Sequence, residues 1–311
     1  MRTVISFVIF LILLALIYSS DLGFRSRKYA NRAQYPPAKV FSGEALSAAQ
    51  KMFDGDIAGM EQEIKQKNLN PDQLDPEKGY TLLMYATIIE DIKAMRRLLE
   101  LGADPNIIIP AGDDTPLAHA AALDNYRMLD LLFEFKAHPN PKVGRSPLID
   151  VLLMGGFERT KKKMVDYLLA HGADINNIPL SGDNTMEAVT RINLDMAFYF
   201  LEKGGQPIIE GTNLSPMARY IQSEEKWLKK VNKSETEYSK KLLSLKQLLI
   251  DKYGVQFPYE KDTLQEAKLR IKLYEELSPQ DKISINFKYN YGENSYQEDL
   301  ELVKSREGDL P

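Results

Sequence analysis

A short turn-like segment recurs along the chain at a nearly constant spacing. It reads LGADPN at 101–106 and HGADIN at 171–176, with weaker copies KNLNPD at 67–72, FKAHPN at 135–140 and KGGQPI at 203–208. A second segment recurs with it, as TLLMYA at 81–86, TPLAHA at 115–120, SPLIDV at 146–151, TMEAVT at 185–190 and SPMARY at 215–220. Thr81 and Thr115 are about 34 residues apart, and self-similarity at such a period indicates a chain of stacked repeats.

The residues of one unit predict a pair of helices. Thr115 is a suitable N-cap and Pro116 suits the first helical position, so a helix is expected to begin there. The second helix is marked by an apolar stripe at Met128, Leu131 and Leu132. Gly102 fits the left-handed residue that follows a helix, so each unit ends in a turn.

The T-P-L start at 115–117 and the G-A-D turns at 102–104 and 172–174 resemble those of ankyrin repeats. The resemblance implies an all-α solenoid of about five to six helix–turn–helix units, following an N-terminal hydrophobic segment. We assign residues 44–260 to the repeats, with a weak N-terminal unit and a sixth unit lengthened by a polar insertion. Residues 261–311 are expected to form a C-terminal helix and a polar, partly disordered tail.

Composition excludes several functions. The 311 residues are 44% hydrophobic and 27% charged, with a net charge of −4, which is typical of a globular protein. No long basic stripe is present, so nucleic acid is not an expected partner. Without cysteine the chain has neither a disulfide nor a thiolate metal site. We expect no cofactor.

The first twenty residues predict a membrane-targeting segment. The run from Val4 to Tyr18 is apolar except for Ser6, and it follows a basic residue, Arg2. Its length suits a signal peptide and is short for a spanning helix. Cleavage near Ser19 and retention as an anchor both remain open. The polar, basic stretch 21–43 reads as a linker.

The orientation of the chain relative to the membrane has two readings. By the positive-inside rule, the basic residues that follow the apolar run would keep the body in the cytoplasm. These residues are Arg25, Arg27, Lys28 and Arg32. The short basic N-terminus favours export. We expect a periplasmic body, either exported or anchored to the inner membrane through residues 4–18, with a cytoplasm-facing anchor as the alternative.

The three histidines do not predict a metal site. His119, His138 and His171 occupy different positions of the repeat, whereas a shared metal ion needs ligands that converge. No G-x-S-x-G, H-E-x-x-H or phosphate-binding glycine motif occurs, so the sequence predicts no enzyme.

The resemblance implies binding of another protein through the turn segments, or fingers, and the inner helices. We predict that binding concentrates in residues of the second to fourth units: Tyr80, Tyr85, Ile108, Asp114, His119 and Arg145. Ile88, Ile89, Leu123 and Asp150 are further inner-helix candidates. The isoleucines at 107–109 either contact a partner or pack between fingers.

Three classes of function are open. The first is a protein-binding module, such as an immunity protein that blocks a secreted toxic effector, for example a phospholipase. The second is an envelope scaffold or a cytoplasmic-facing adaptor with no inhibitory role. The third class, an enzyme located in the C-terminal region, has no supporting motif.

Overall fold

The computed structural model describes residues 27–109, 114–154, 157–180, 184–279, 281–282 and 291–307. Over these ranges the regular structure is helical, apart from one antiparallel bridge between Ile109 and Asp114. No helix in the described ranges is long and apolar enough to cross a membrane. The predicted apolar segment 4–18 lies outside the described residues.

The chain divides into two compact units, residues 1–104 and 105–311. The first contains α1 (27–34), α2 (Pro37–Val40), α3 (Ala45–Phe53), α4 (Ile57–Gln66), α5 (Leu82–Ile88) and α6 (Ile92–Glu100). The second begins with α7 (Pro116–Ala122), α8 (Tyr126–Glu134), α9 (Pro147–Leu153), α10 (Glu158–Ala170), α11 (Thr185–Ile192) and α12 (Leu194–Glu202). It continues with α13 (Pro216–Lys230), α14 (Glu237–Tyr253), α15 (Thr263–Glu275) and α16 (Glu293–Glu307).

Helices α3 to α14 form the six predicted repeats, each with a first and a second helix. The first helices begin where the sequence places a cap: Thr115 Oγ1 accepts the N–H of Ala118 at 3.2 Å, and Ser215 Oγ accepts that of Ala218 at 3.2 Å. Such a bond satisfies an N–H that has no partner within the helix. In the fifth repeat Asn184 replaces threonine or serine as the cap.

Packing within each unit stacks the repeats. In the second unit the first helices α7, α9, α11 and α13 pack in succession, and the second helices α10, α12 and α14 form another layer. In the first unit α3 packs on α5 and α4 on α6. Leucines of the T-P-L segment and of the second helix, such as Leu117 and Leu132, are fully buried in the core.

Residues 21–43 were predicted as a linker, and the structure corrects this for the part that it describes, from residue 27 on. This part contains α1 and α2, which belong to the first unit. Arg27 makes two hydrogen bonds to Glu90, at 2.8 and 2.9 Å, and Arg32 pairs with Asp91 at 3.0 Å.

The C-terminal region is more ordered than predicted. Helices α13 and α14 have 15 and 17 residues, so the polar insertion does lengthen the sixth repeat. Beyond it, the expected tail contains a second helix, α16, which packs on α15. Arg270 of α15 forms two hydrogen bonds to the buried Asp299 of α16, at 2.8 and 2.7 Å. We call α15 and α16 together the C-terminal hairpin.

Candidate functional site

Equivalent positions of successive first helices bring polar residues together in the second unit. Because each first helix begins at its cap, the fourth helical residue is His119 in α7, Asp150 in α9 and Arg219 in α13. Helices α7 and α9 are neighbours, so His119 and Asp150 lie side by side in the layer of first helices. The loop residues just before these helices add Asp114 and Arg145.

These four residues, Asp114, His119, Arg145 and Asp150, are called the polar cluster below. His119 Nδ1 lies 3.2 Å from Asp114 Oδ2, so the ring N–H donates to that carboxylate. Arg145 Nη2 lies 3.1 Å from Asp150 Oδ1. The side chains of His119 and Arg145 are 26% and 34% exposed, whereas those of Asp114 and Asp150 are 13% and 4% exposed. Two partly exposed groups are therefore held by two buried carboxylates.

Burial dominates the electrostatics of Asp150. It raises the pKa of this carboxyl to about 7, and the neighbouring Asp114 raises the pKa further, while Arg145 and His119 oppose the rise. A carboxyl removed from water ionises less readily because its charged form loses solvation. The charge of the polar cluster therefore changes near neutral pH, when Asp150 gains or loses its proton.

Three atoms of the polar cluster are buried and have no hydrogen-bond partner: Asp114 Oδ1, Arg145 Nε and Asp150 Oδ2. Leaving a buried polar atom unpaired typically costs about 1–3 kcal/mol, so most native structures avoid it. Three such atoms in one small region make the polar cluster the candidate site, where the carboxylate oxygens could accept and the guanidinium nitrogen could donate a hydrogen bond.

Three of the six predicted binding residues, Asp114, His119 and Arg145, thus lie in one cluster. Asp150 was named only as a secondary candidate. Its place at the same helical position as His119, one repeat later, is the sequence signal that identifies it. Tyr80 lies in the first unit and is half-buried, and its carbonyl accepts the N–H of Asp75 at 2.9 Å.

Two of the predicted binding residues are buried, so their assignment to an exposed binding surface was wrong. Tyr85 is fully buried, packs edge-to-face on Phe41 at 5.4 Å and donates its hydroxyl to the carbonyl of Tyr35 at 2.9 Å. Ile108 packs in an apolar cluster with Tyr274 and Tyr291 of the C-terminal region. In both cases the covering residues come from outside the repeats, so the repeat pattern alone could not predict the burial.

The other two histidines serve local structure. His138 Nδ1 accepts the N–H of Asn140 at 3.1 Å, and the ring of His171 stacks on Phe133 at 4.7 Å. Within the described ranges, no three histidine, cysteine or carboxylate side chains converge as metal ligands would.

Comparisons with known proteins agree with the repeat pattern. A family model described as ankyrin repeats, in three copies, matches residues 47–143. One solved structure similar to this chain is the ankyrin repeat domain of human ASB11, with 19% sequence identity and a TM-score of 0.43. That match covers 81% of this chain and 100% of the other. By the family model, residues 47–143 contain ankyrin repeats.

Proposed function

We propose that the chain binds a toxic effector protein through the polar cluster and thereby neutralises it. Ankyrin repeats act as protein–protein interaction modules, and stacked repeats offer extended surfaces for this purpose. The observation that carries the choice of site is the set of three unpaired buried atoms in a cluster whose His119 and Arg145 side chains are partly exposed.

The charge of the polar cluster favours a particular kind of contact. The carboxylates accept hydrogen bonds and the guanidinium donates them, so the cluster suits a partner side chain that does both, such as an amide. A partner that covers the cluster excludes water and strengthens these bonds, because interactions between charges grow in a low-dielectric environment. Covering an effector's active site in this way would prevent substrate entry without any chemistry by the chain.

The location that we propose is the periplasm. The apolar run 4–18 would direct export and either remain as an inner-membrane anchor or be released. Arg27 is bonded to Glu90 within the first unit, so eight residues, 19–26, separate the run from this point of the folded body. Fully extended, they reach across roughly 30 Å, which would keep an anchored chain close to the membrane surface.

The effector class that we propose is one delivered by a secretion system, with a phospholipase as the leading example. The alternative is a scaffold in the envelope or a cytoplasm-facing adaptor, with no inhibitory role. The immunity-protein and scaffold proposals predict different effects when the protein is depleted from cells. Loss of an immunity protein exposes cells to a toxin and kills them, whereas loss of a scaffold weakens an assembly.

Site-specific photo-crosslinking in native cells tests the proposed site. A photo-reactive residue is placed at His119, at Arg145 and, as a control, at Leu243 of α14, which is 47% exposed. A discrete adduct from the first two positions and none from the third would support the proposal. Identical adducts from all three positions, or none from any, would count against it. Mass spectrometry of the adduct then shows whether the partner has the sequence of a toxin.

A further inference from the structure

We propose that the finger loops of the third to fifth repeats form a helix-docking surface that the C-terminal hairpin occupies, and that a partner helix of similar chemistry displaces it. This inference rests on the proposed protein-binding function, but it concerns a different surface from the polar cluster. We call this surface the finger face and define it by Ile108, Lys142, Val143 and Leu180.

The contact is mainly apolar. One residue from each of three successive finger loops takes part: Ile108, Val143 and Leu180. They pack against Tyr274 and other aromatic and aliphatic side chains of the C-terminal region, namely Leu277, Tyr291 and Tyr296. Tyr274 also stacks on Tyr296 at 4.5 Å, so the hairpin presents a compact aromatic group to the fingers.

Polar contacts set the direction of α15 along the repeats. Lys142 Nζ donates to the carbonyl of Glu276 at 2.8 Å. The N–H of Asn213 donates to Gln265 Oε1 at 2.9 Å, and Arg219 pairs with Glu266 at 3.3 Å. The repeats therefore supply the donors and cations, while α15 supplies acceptors and a carboxylate. Such exposed pairs add little affinity and mostly fix orientation.

The hairpin is held together by its own bonds. Besides the two bonds between Arg270 and Asp299, the hydroxyl of Tyr291 donates to Asp299 at 2.6 Å. A separate apolar cluster joins the two helices and contains Ala267, Ile271 and Val303. Tyr274, Tyr291 and Tyr296 take part in both sets of contacts. The pair Arg270–Asp299 and the cluster around Ile271 lie outside the finger contact, so the hairpin keeps these bonds of its own when it leaves the finger face.

The hairpin shows which partner the finger face fits. The occupant is an amphipathic helix with an aromatic or leucine stripe and a carboxylate, Glu266, that pairs with the exposed Arg219. Lys142 donates to a backbone carbonyl at the end of that helix. A partner helix of the same character would compete with the hairpin for the same loops. Docking of an amphipathic helix in an apolar groove is a common mode of protein recognition.

Binding of a fluorescent peptide of residues 260–311 to the full chain tests the inference. In the wild type the resident hairpin should compete, so the peptide should bind weakly. The double variant Tyr274→Ala, Leu277→Ala loosens the resident hairpin, and the peptide should bind it at least tenfold more tightly. Adding Lys142→Ala to that variant should weaken binding severalfold, because this exposed lysine is part of the surface without being part of the core.

Two results would overturn the inference. One is equal peptide affinity for the wild type and the loosened variant. The other is affinity in the loosened variant that neither Lys142→Ala nor Val143→Ser reduces. A peptide with Glu266 changed to lysine is the control and should bind less tightly than the native peptide, because it loses the pair with Arg219. Failure here leaves the polar cluster untouched, because crosslinking from positions 119 and 145 decides that proposal separately.

Discussion

Asn140 Oδ1 accepts the backbone N–H of Asp174 at 2.6 Å and so joins the turns of two successive repeats. The same bond recurs between Asn106 and the N–H of His138 at 2.7 Å, and between Asn176 and the N–H of Gln206 at 2.7 Å. The recurring turn segment of the sequence thus has a physical role, since the last residue of one copy fixes the position of the next turn.

Asn140→Ala should lower the free energy of unfolding by about 1 kcal/mol. The change removes the bond to Asp174 and also the donor that Asn140 Nδ2 provides to the carbonyl of Gly172 at 2.8 Å. A typical hydrogen bond contributes about that much net stability, and water can partly replace these exposed ones. Urea denaturation measures the loss. Asn213→Ala, at an exposed side chain, is the control and should change stability little.

Leu117→Ala and Leu132→Ala should each destabilise the chain by roughly 2–5 kcal/mol. Both side chains are fully buried, so truncation loses apolar burial and leaves a cavity. Leu243→Ala is the matched control, because that side chain is largely exposed. Equal losses for buried and exposed leucines in urea denaturation would contradict the assignment of the core.

Asp150→Asn should be increasingly stabilising, relative to the wild type, as the pH rises. Burial raises the pKa of Asp150 to about 7 in the fold, whereas the unfolded chain ionises this carboxyl near pH 4. Wild-type stability is therefore lost between about pH 4 and 7, because the unfolded state releases the proton first. Asparagine cannot ionise and avoids that loss.

Between pH 4 and 8 the stability of Asp150→Asn relative to the wild type should rise by up to about 4 kcal/mol, because the pKa of Asp150 is about 7 in the fold and about 4 in the unfolded chain. Urea denaturation at a series of pH values measures it. Asp251→Asn, at an exposed side chain, is the control for the general effect of removing a carboxyl. A stability difference for Asp150→Asn that stays flat across this range would contradict the burial argument.

Tyr85→Phe should cost about 1 kcal/mol of stability and leave partner affinity unchanged. The hydroxyl bonds to the carbonyl of Tyr35 inside the first unit, so its loss weakens the packing of the N-terminal helices. Tyr29→Phe is the control, because Tyr29 is highly exposed. Thermal unfolding gives the stability, and a reduced affinity without a reduced stability would restore Tyr85 as a surface residue.

The repeats could be predicted from the sequence because helix caps and turn glycines mark them, and each of these depends only on neighbouring residues. Thr115 caps α7 and Pro116 is its first residue, and Gly102 and Gly172 have φ values of 96° and 87°, which favour glycine. These features depend on residues within a few positions of one another, so a single sequence contains them.

Contacts between distant segments were not predictable in the same way. Tyr85 and Ile108 occupy positions that would be exposed on a bare repeat, and both are covered by segments outside the pattern, near Tyr35 and Tyr274. The polar cluster was half predicted: its members were named one by one, but only the stacking of α7 on α9 shows that His119 and Asp150 are neighbours.

Titration of the partner captured by crosslinking tests most directly whether the polar cluster is the binding site. Calorimetry compares the wild type with His119→Ala and Arg145→Gln, and with Leu243→Ala as the control, after each variant is shown to fold. Affinity should fall at least thirtyfold for a cluster variant, since a hot-spot residue contributes about 2 kcal/mol or more, and should not change for the control. Unchanged affinity in both cluster variants, together with its loss on deletion of residues 263–311, would contradict the claim and place binding on the C-terminal segment.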